Sequence, residues 1–305
     1  MSGQEIMVLG FQASGKTTFA AALWHLVDSR EIDDTALVKG KHNGDFRYLE
    51  EIATAWAAGW AVERTRSEEW RPIAINLRSL VTETDVRLSF VDIAGETVER
   101  MFATREVDER VEPLIRAAPG LLLFVSALRP QDDDSIVDLY REFPEEAPPE
   151  PTDEPAEAES NAPGPAASGE TVAFKVEMTP HQVQLADLLD AFSDDPLEMR
   201  PARIAVIISA WDRAHGASTP EAWLQDHLPL LFQYLTTHAD EFEFRIYGVS
   251  AQGGHVPSKQ NPTDQSDRDE LLKQPEASKR IKVVGHDAGG HDLTHPIAWL
   301  SGLGS

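Results

Sequence analysis

The sequence contains no cysteine. That excludes disulfides, thiolate metal sites and cysteine nucleophiles, and it accords with a reducing compartment. Basic residues are scarce: 27 Lys and Arg stand against 52 Asp and Glu, a formal net charge of −25. No dense Lys/Arg block interrupts this balance. No nucleic-acid partner is therefore expected, since phosphate backbones must be neutralised by cations, and anionic membrane surfaces are disfavoured in the same way. Long apolar runs are missing too. The longest, around Leu121, Leu122, Leu123, Phe124 and Val125, falls far short of the roughly 20 residues needed to span a bilayer, so no membrane segment is expected. The N-terminus lacks a basic stretch followed by an apolar run and a cleavage site. No signal peptide is expected, and the expected location is cytoplasmic.

What is present suits a folded chain of 305 residues, 41% hydrophobic and 26% charged. Apolar periodicity predicts strands over 5–9, 73–77, 86–91, 121–126, 203–209 and 242–249. It predicts helices over 17–28, 46–63, 106–117, 181–192, 220–238 and 295–303. The polar stretch 255–280 reads as a loop. Alternating strands and helices imply an α/β domain of three layers, with a mostly parallel central sheet and helices on both faces. One segment breaks this rhythm. From Phe143 to Glu170 there are seven prolines, eight acidic residues and no basic residue. Such a segment buries too little apolar surface to offset chain ordering, so 130–178 is expected to be a disordered acidic, Pro-rich insertion within a single domain spanning 1–305.

The first strand runs into Gly10-Phe11-Gln12-Ala13-Ser14-Gly15-Lys16-Thr17, a full match to the phosphate-loop pattern. Gly10 and Gly15 permit backbone angles and close approaches that side chains would obstruct. The loop's N–H groups and the start of the following helix then face an anion. Lys16 would reach the β- and γ-phosphates, and Thr17 would offer its hydroxyl to Mg²⁺. The expected nucleotide contacts here are Gly10, Ala13, Ser14, Gly15, Lys16, Thr17 and Thr18.

Three further signals follow at strand ends. Asp92-Ile93-Ala94-Gly95 closes the strand Leu88-Ser89-Phe90-Val91. A carboxylate there can hold Mg²⁺ through water, and Gly95 can offer a backbone N–H to a γ-phosphate. Ser209-Ala210-Trp211-Asp212 closes the strand ending at Ile208. An aspartate at Asp212 can accept two N–H bonds from guanine, a pair that adenine cannot supply. Ser250-Ala251 closes the last strand, where a small residue lets a backbone N–H approach the base oxygen.

With these residues the chain resembles P-loop GTPases of the Ras-like, translation-factor-related class. "DIAGE" at 92–96, the insertion between the fourth and fifth core strands and the tail "HPIAWL" at 295–300 resemble the bacterial double-GTPase family. The resemblance implies GTP/GDP and Mg²⁺ as ligands and hydrolysis by direct attack of water. It also implies a setting in bacterial conflict or defence gene clusters, with another GTPase-like protein or an effector as partner. Mg²⁺ ligands would be Thr17, Asp92 and a threonine before the strand at 73, for which Thr65 is best placed and Ser67 and Thr54 are rivals.

Two departures stand out. Ser209 and Ala210 replace the usual Asn/Thr-Lys pair, so no lysine stem covers the base. Glu96 stands where a water-orienting glutamine is common. Lys16 and Glu96 are the expected catalytic residues, hydrolysis is expected to be slow, and a partner's cation would help it. Arg100 and Arg105 are candidate cations within the chain. Rival readings are a nearly non-hydrolysing scaffold and an ATP-using P-loop enzyme. The His-rich stretch from His286 to His295 shows no tight metal spacing, and Trp56, Trp60 and Trp70 read as packing or surface-loop residues.

Overall fold

The computed structural model describes residues 4–42, 46–62, 73–90, 96–109, 111–129, 179–214, 216, 218–263 and 266–304, without the side chains of Glu96 and Thr97. The expected insertion 130–178 lies outside them, as do Thr65, Ser67, Trp70, Asp92 and Gly95.

The strands are β1 (Gln4–Gly10), β2 (Val38–Lys39), β3 (Ile73–Arg78), β4 (Asp85–Phe90), β5 (Gly120–Ser126), β6 (Arg203–Ser209), β7 (Glu243–Ser250) and β8 (Lys282–Val284). The helices are α1 (Lys16–Ser29), α2 (Arg47–Ala57), α3 (Glu96–Thr104), α4 (Glu112–Ala117), α5 (His181–Ser193), α6 (Pro220–His227), α7 (Pro229–Thr237), α8 (Arg268–Leu271) and α9 (His295–Leu300). Among the described residues the strands form one sheet in the order β2-β3-β4-β1-β5-β6-β7-β8. The run β4-β1-β5-β6-β7 is parallel. The β2–β3, β3–β4 and β7–β8 pairs are antiparallel.

The apolar strands explain this arrangement. Parallel strands covered by helices on both faces need side chains that tolerate burial on either side. All seven residues of β5 are buried, and so are the last six of β6. Alternation then divides them between two cores. Ile6, Val8, Leu122, Phe124 and Ile207 face α1, α2 and α9 on one side. Met7, Leu9, Leu121, Leu123, Val206 and Ile208 face α3 to α7 on the other.

Prolines set several boundaries that periodicity misplaced. The helix expected over 106–117 starts only at Glu112, with Pro113 in its first turn, because proline has no N–H to donate and suits that position. Arg105 lies just beyond α3 in a left-handed conformation, φ 57°. The helix expected over 220–238 is two helices, broken where Pro229 opens α7 and Leu228 takes an extended φ of −131°. The stretch 255–280 includes α8 and a short 3-10 turn, Ala277–Arg280.

The C-terminal residues fasten the sheet's first face. Asp292 accepts from the Ala36 N–H at 2.9 Å and from the Thr294 hydroxyl at 2.6 Å. Thr294 in turn accepts from the Leu37 N–H at 2.9 Å. His291 donates to the Ile281 carbonyl, and His286 Nε2 accepts from the Ile246 N–H at 3.2 Å. These contacts hold the tail against the segment between α1 and β2 and against β7.

β1 and β4 are parallel neighbours, and the chain leaves β1 towards β2 and β3 on one side but leaves β4 towards β5 on the other, so the strand order reverses between them. Ligands of open α/β sheets bind at such a reversal, beyond the carboxyl ends of the strands. Gly10, Ser126, Ser209 and Ser250 all end their strands on this edge.

Candidate functional site: the phosphate loop and the Asp212–Ser250 pair

The loop 10–15 is shaped by close packing. A Cβ on Gly10 would come within 2.8 Å of Phe124 Cβ and 2.9 Å of its carbonyl oxygen. A Cβ on Gly15 would come within 2.7 Å of Ser209 Cβ, and Gly15 has a left-handed φ of 91°. Neither position accepts a side chain. Ala13 also takes a left-handed φ, 61°, which costs a non-glycine residue about 1 kcal/mol or more. Gly15 is the N-cap of α1; it supplies no side-chain cap, and the first turn holds no carboxylate. The positive end of a 14-residue helix therefore faces the loop without a competing acidic group.

Lys16 is 2% exposed. Its ammonium donates to the Gly10 carbonyl at 2.6 Å, the Phe11 carbonyl at 2.9 Å and Ser14 Oγ at 3.3 Å. The loop's own oxygens hold this cation at its centre, where it can meet an anion.

Asp212 and Ser250 come together from the ends of two strands. Ser250 Oγ donates to Asp212 Oδ1 and accepts from the Gly253 N–H at 3.2 Å. Ala210 adopts a left-handed φ of 52°, which swings the chain into the 3-10 turn Trp211–Arg213 and presents Asp212 towards β7. Trp211 packs on the second core, its ring against Gly248, where a Cβ would lie 2.4 Å from the ring. It is a wedge that sets the turn.

Ala251, beside this pair, is held through its carbonyl by Trp56 Nε1 at 3.0 Å. Trp56 is fully buried, and Arg280 lies 5.0 Å above its ring. Gln252, next in the chain, is 9% exposed, and neither amide atom has a hydrogen-bond partner. Arg105 pairs with Asp187 on α5, and that hydrogen bond raises its pKa. Arg100 approaches Asp108 at 3.9 Å.

The structure thus brings Gly10, Gly15, Lys16 and the start of α1 into one loop, and joins Asp212 to Ser250 beside it. Ser209 links the two halves by contact with Gly15. Thr65, Asp92 and Gly95 lie outside the described residues, and Glu96 is described only as the backbone residue opening α3. Sequence reasoning missed Trp56 as a prop for Ala251, because its partner is a backbone carbonyl 195 residues away. It also missed Arg129, an isolated arginine after β5 whose Nη2 donates to the Gln12 carbonyl at 2.5 Å. Gln252 carried one usable signal, its place directly after Ser250-Ala251.

Fold and loop define a P-loop nucleotide-binding protein. The family model of Double-GTPase 1 matches residues 7–300, and the chain belongs to that family. No curated protein matches the chain. Among solved structures, it is similar to the bacterial selenocysteine-specific elongation factor EF-Sec, at 11% identity and a TM-score of 0.32, covering 90% of this chain and 28% of that one. The Arl6 BBS3 small GTPase from Trypanosoma brucei, solved with the nucleotide analogue GppNp, is 11% identical with a TM-score of 0.33, covering 92% of this chain and 99% of that one. The S. cerevisiae Ski7 GTPase-like domain, bound to GTP, is 11% identical with a TM-score of 0.34, covering 82% of this chain and 43% of that one. No described helix is long and apolar enough to cross a membrane.

Proposed function

We propose that this protein binds GTP and GDP with Mg²⁺ and hydrolyses GTP slowly, acting as a switch whose turnover a partner stimulates. The observation that carries this reading is that the loop around the buried Lys16 and the Asp212–Ser250 pair lie on the same edge of the sheet, with Ser209 at the end of β6 against Gly15. The loop suits a polyphosphate and the pair a guanine edge. Family membership supports the same ligand.

In this reading Gly10, Ala13, Ser14, Gly15, Thr17 and Thr18 contact the nucleotide together with Lys16. The loop N–H groups and the Lys16 ammonium neutralise the phosphates, while Asp212 accepts from guanine, supported by Ser250 and Ala251. Thr17, Asp92 and Thr65 are hard oxygen donors, the type Mg²⁺ prefers, and would hold it. Bound Mg²⁺ supplies charge neutralisation at the β- and γ-phosphates. Water attacks the γ-phosphorus, the bond to the β–γ bridging oxygen breaks, and GDP leaves with that electron pair. Lys16 stabilises the charge arising there. Gly95 senses the γ-phosphate through its N–H, and Glu96 positions the water. The negative charge of Glu96 keeps intrinsic turnover low and makes an added cation from a second GTPase-like protein or effector useful. The whole chain would work as one cytoplasmic P-loop unit interrupted at 130–178, in a bacterial conflict or defence system.

Ala210 favours a second reading, a scaffold that binds nucleotide but scarcely turns it over, because no lysine stem covers the base. Phosphate release from GTP under single-turnover conditions, alone and with the candidate partner, separates the two. Slow release that rises with partner supports the switch. No release in either condition leaves the scaffold.

A further inference from the structure

We infer that Arg129 is a positioning residue of the phosphate site, fixing the peptide between Gln12 and Ala13 so that the Ala13 N–H faces the phosphates. The inference rests on the nucleotide-binding reading above.

Arg129 follows β5 in a tight turn. The Ala127 N–H donates to the Ser209 carbonyl at 3.0 Å, and the Leu128 N–H donates to Ser126 Oγ at 3.2 Å. The turn aims the half-buried guanidinium back at the loop. One amino group donates to the Gln12 carbonyl at 2.5 Å, and the other donates to His181 Nε2 at the start of α5. The His181 ring also meets Phe11 edge-on, at 5.2 Å between centroids. Phe11, Ser14, Arg129 and His181 line one small cavity of about 40 Å³. Two consecutive loop residues, Phe11 and Gln12, are therefore tied to the same pair of side chains.

The consequence follows from peptide geometry. In a planar trans peptide the C=O and N–H point in opposite directions. A Gln12 carbonyl turned towards Arg129 turns the Ala13 N–H the other way. The left-handed φ of Ala13 belongs to this orientation. Because alanine is strained there, the peptide has reason to flip, and flipping would aim an oxygen at the phosphates. The flip would also forfeit a charge-assisted hydrogen bond from Arg129, among the stronger kinds of hydrogen bond in proteins. Arg129 thus favours the anion-binding orientation. Its effect falls on the phosphates and not on the base, so GDP and GTP share it.

The test uses the full chain and fluorescent GDP and a non-hydrolysable GTP analogue, beside the adenine counterparts. Arg129→Met keeps the apolar stem and removes the donors. It is expected to weaken both guanine nucleotides by about tenfold, with the guanine-to-adenine ratio unchanged. Arg129→Lys, which can still donate to the Gln12 carbonyl, is expected to recover part of the loss. A loss caused by general loosening would not be rescued by lysine and would appear in the unfolding curve. If wild type binds guanine nucleotide and a folded Arg129→Met binds it equally well, the positioning role is overturned and the functional reading stands. Should Arg129→Met not fold, Arg129→Lys decides: affinity at or below one-hundredth of wild type in folded protein overturns the role. If wild type binds no guanine nucleotide, both readings fall.

Discussion

Ser209 lies directly against Gly15: a Cβ at Gly15 would come within 2.7 Å of the serine's Cβ and 2.8 Å of its hydroxyl. The end of β6 is thereby in contact with the phosphate loop at Gly15, the residue directly before α1 begins. Ser209→Val would place an extra methyl against this backbone. Overpacking of this kind costs about 1–3 kcal/mol. The expected result is a lower unfolding midpoint and nucleotide binding weakened about tenfold or more, measured by denaturant melts and titration. Unchanged values for both would mean the contact is slack.

Gly248 makes room for Trp211, and the turn carrying Asp212 rests on that ring. Gly248→Ala must displace the indole, since a new Cβ would lie 2.4 Å from it. The expected loss is about 1–3 kcal/mol of stability, together with weaker discrimination between guanine and adenine. A variant as stable and as selective as wild type contradicts the wedge role.

Ser250→Ala removes a hydroxyl that donates to Asp212 and accepts from Gly253. A hydrogen bond of this kind contributes about 1 kcal/mol. Guanine nucleotide affinity is expected to fall about fivefold, while adenine nucleotide binding stays constant. An equal fall for both bases would place the serine outside base recognition.

Burial, then the neighbouring Arg245, lowers the His286 pKa from its ordinary 6.5; Glu221 opposes this and His295 adds to it. Burial also lowers His295 and His42. The folded protein keeps these rings neutral, and His286 Nε2 needs its lone pair for the Ile246 N–H. The unfolded chain binds the proton first as pH falls below about 6.5, so stability is full above that pH and is lost down through the depressed native values. The thermal midpoint is expected to drop as pH falls below about 6.5, and His286→Gln to flatten that slope. A slope identical in His286→Gln would remove this histidine from the account.

Arg105 and Arg129 are both arginines near α5, but only Arg129 touches the phosphate loop. The Arg105–Asp187 pair is exposed and worth about 0.2–1 kcal/mol. Arg105→Ala is expected to leave nucleotide affinity and turnover unchanged. A large fall in turnover would make Arg105 a cation acting within the chain.

The α/β order was legible because short apolar runs such as 121–126 and 203–209, too short for a helix of ordinary length, suit strands buried on both faces. The phosphate loop was legible because its spacing encodes local backbone geometry. Asp212 and Ser250 were legible as strand-end residues, but their contact needed the sheet order. Helix breaks at Pro113 and Pro229 were hidden by apolar periodicity that continues across them. β2 and β8, two and three residues long, carry too few residues to show alternation. Trp56 and Arg129 act on backbone carbonyls far away in sequence, and a carbonyl has no residue identity to read.

The measurement that most directly tests the central claim is calorimetric titration with GTP, GDP and ATP, each with Mg²⁺, on wild type, Lys16→Ala and Asp212→Ala. The account expects guanine nucleotides to bind wild type well ahead of ATP. It expects binding to be lost in Lys16→Ala, and selectivity but not all affinity to be lost in Asp212→Ala. ATP binding equal to or tighter than GTP in wild type, or guanine preference intact in Asp212→Ala, would contradict it.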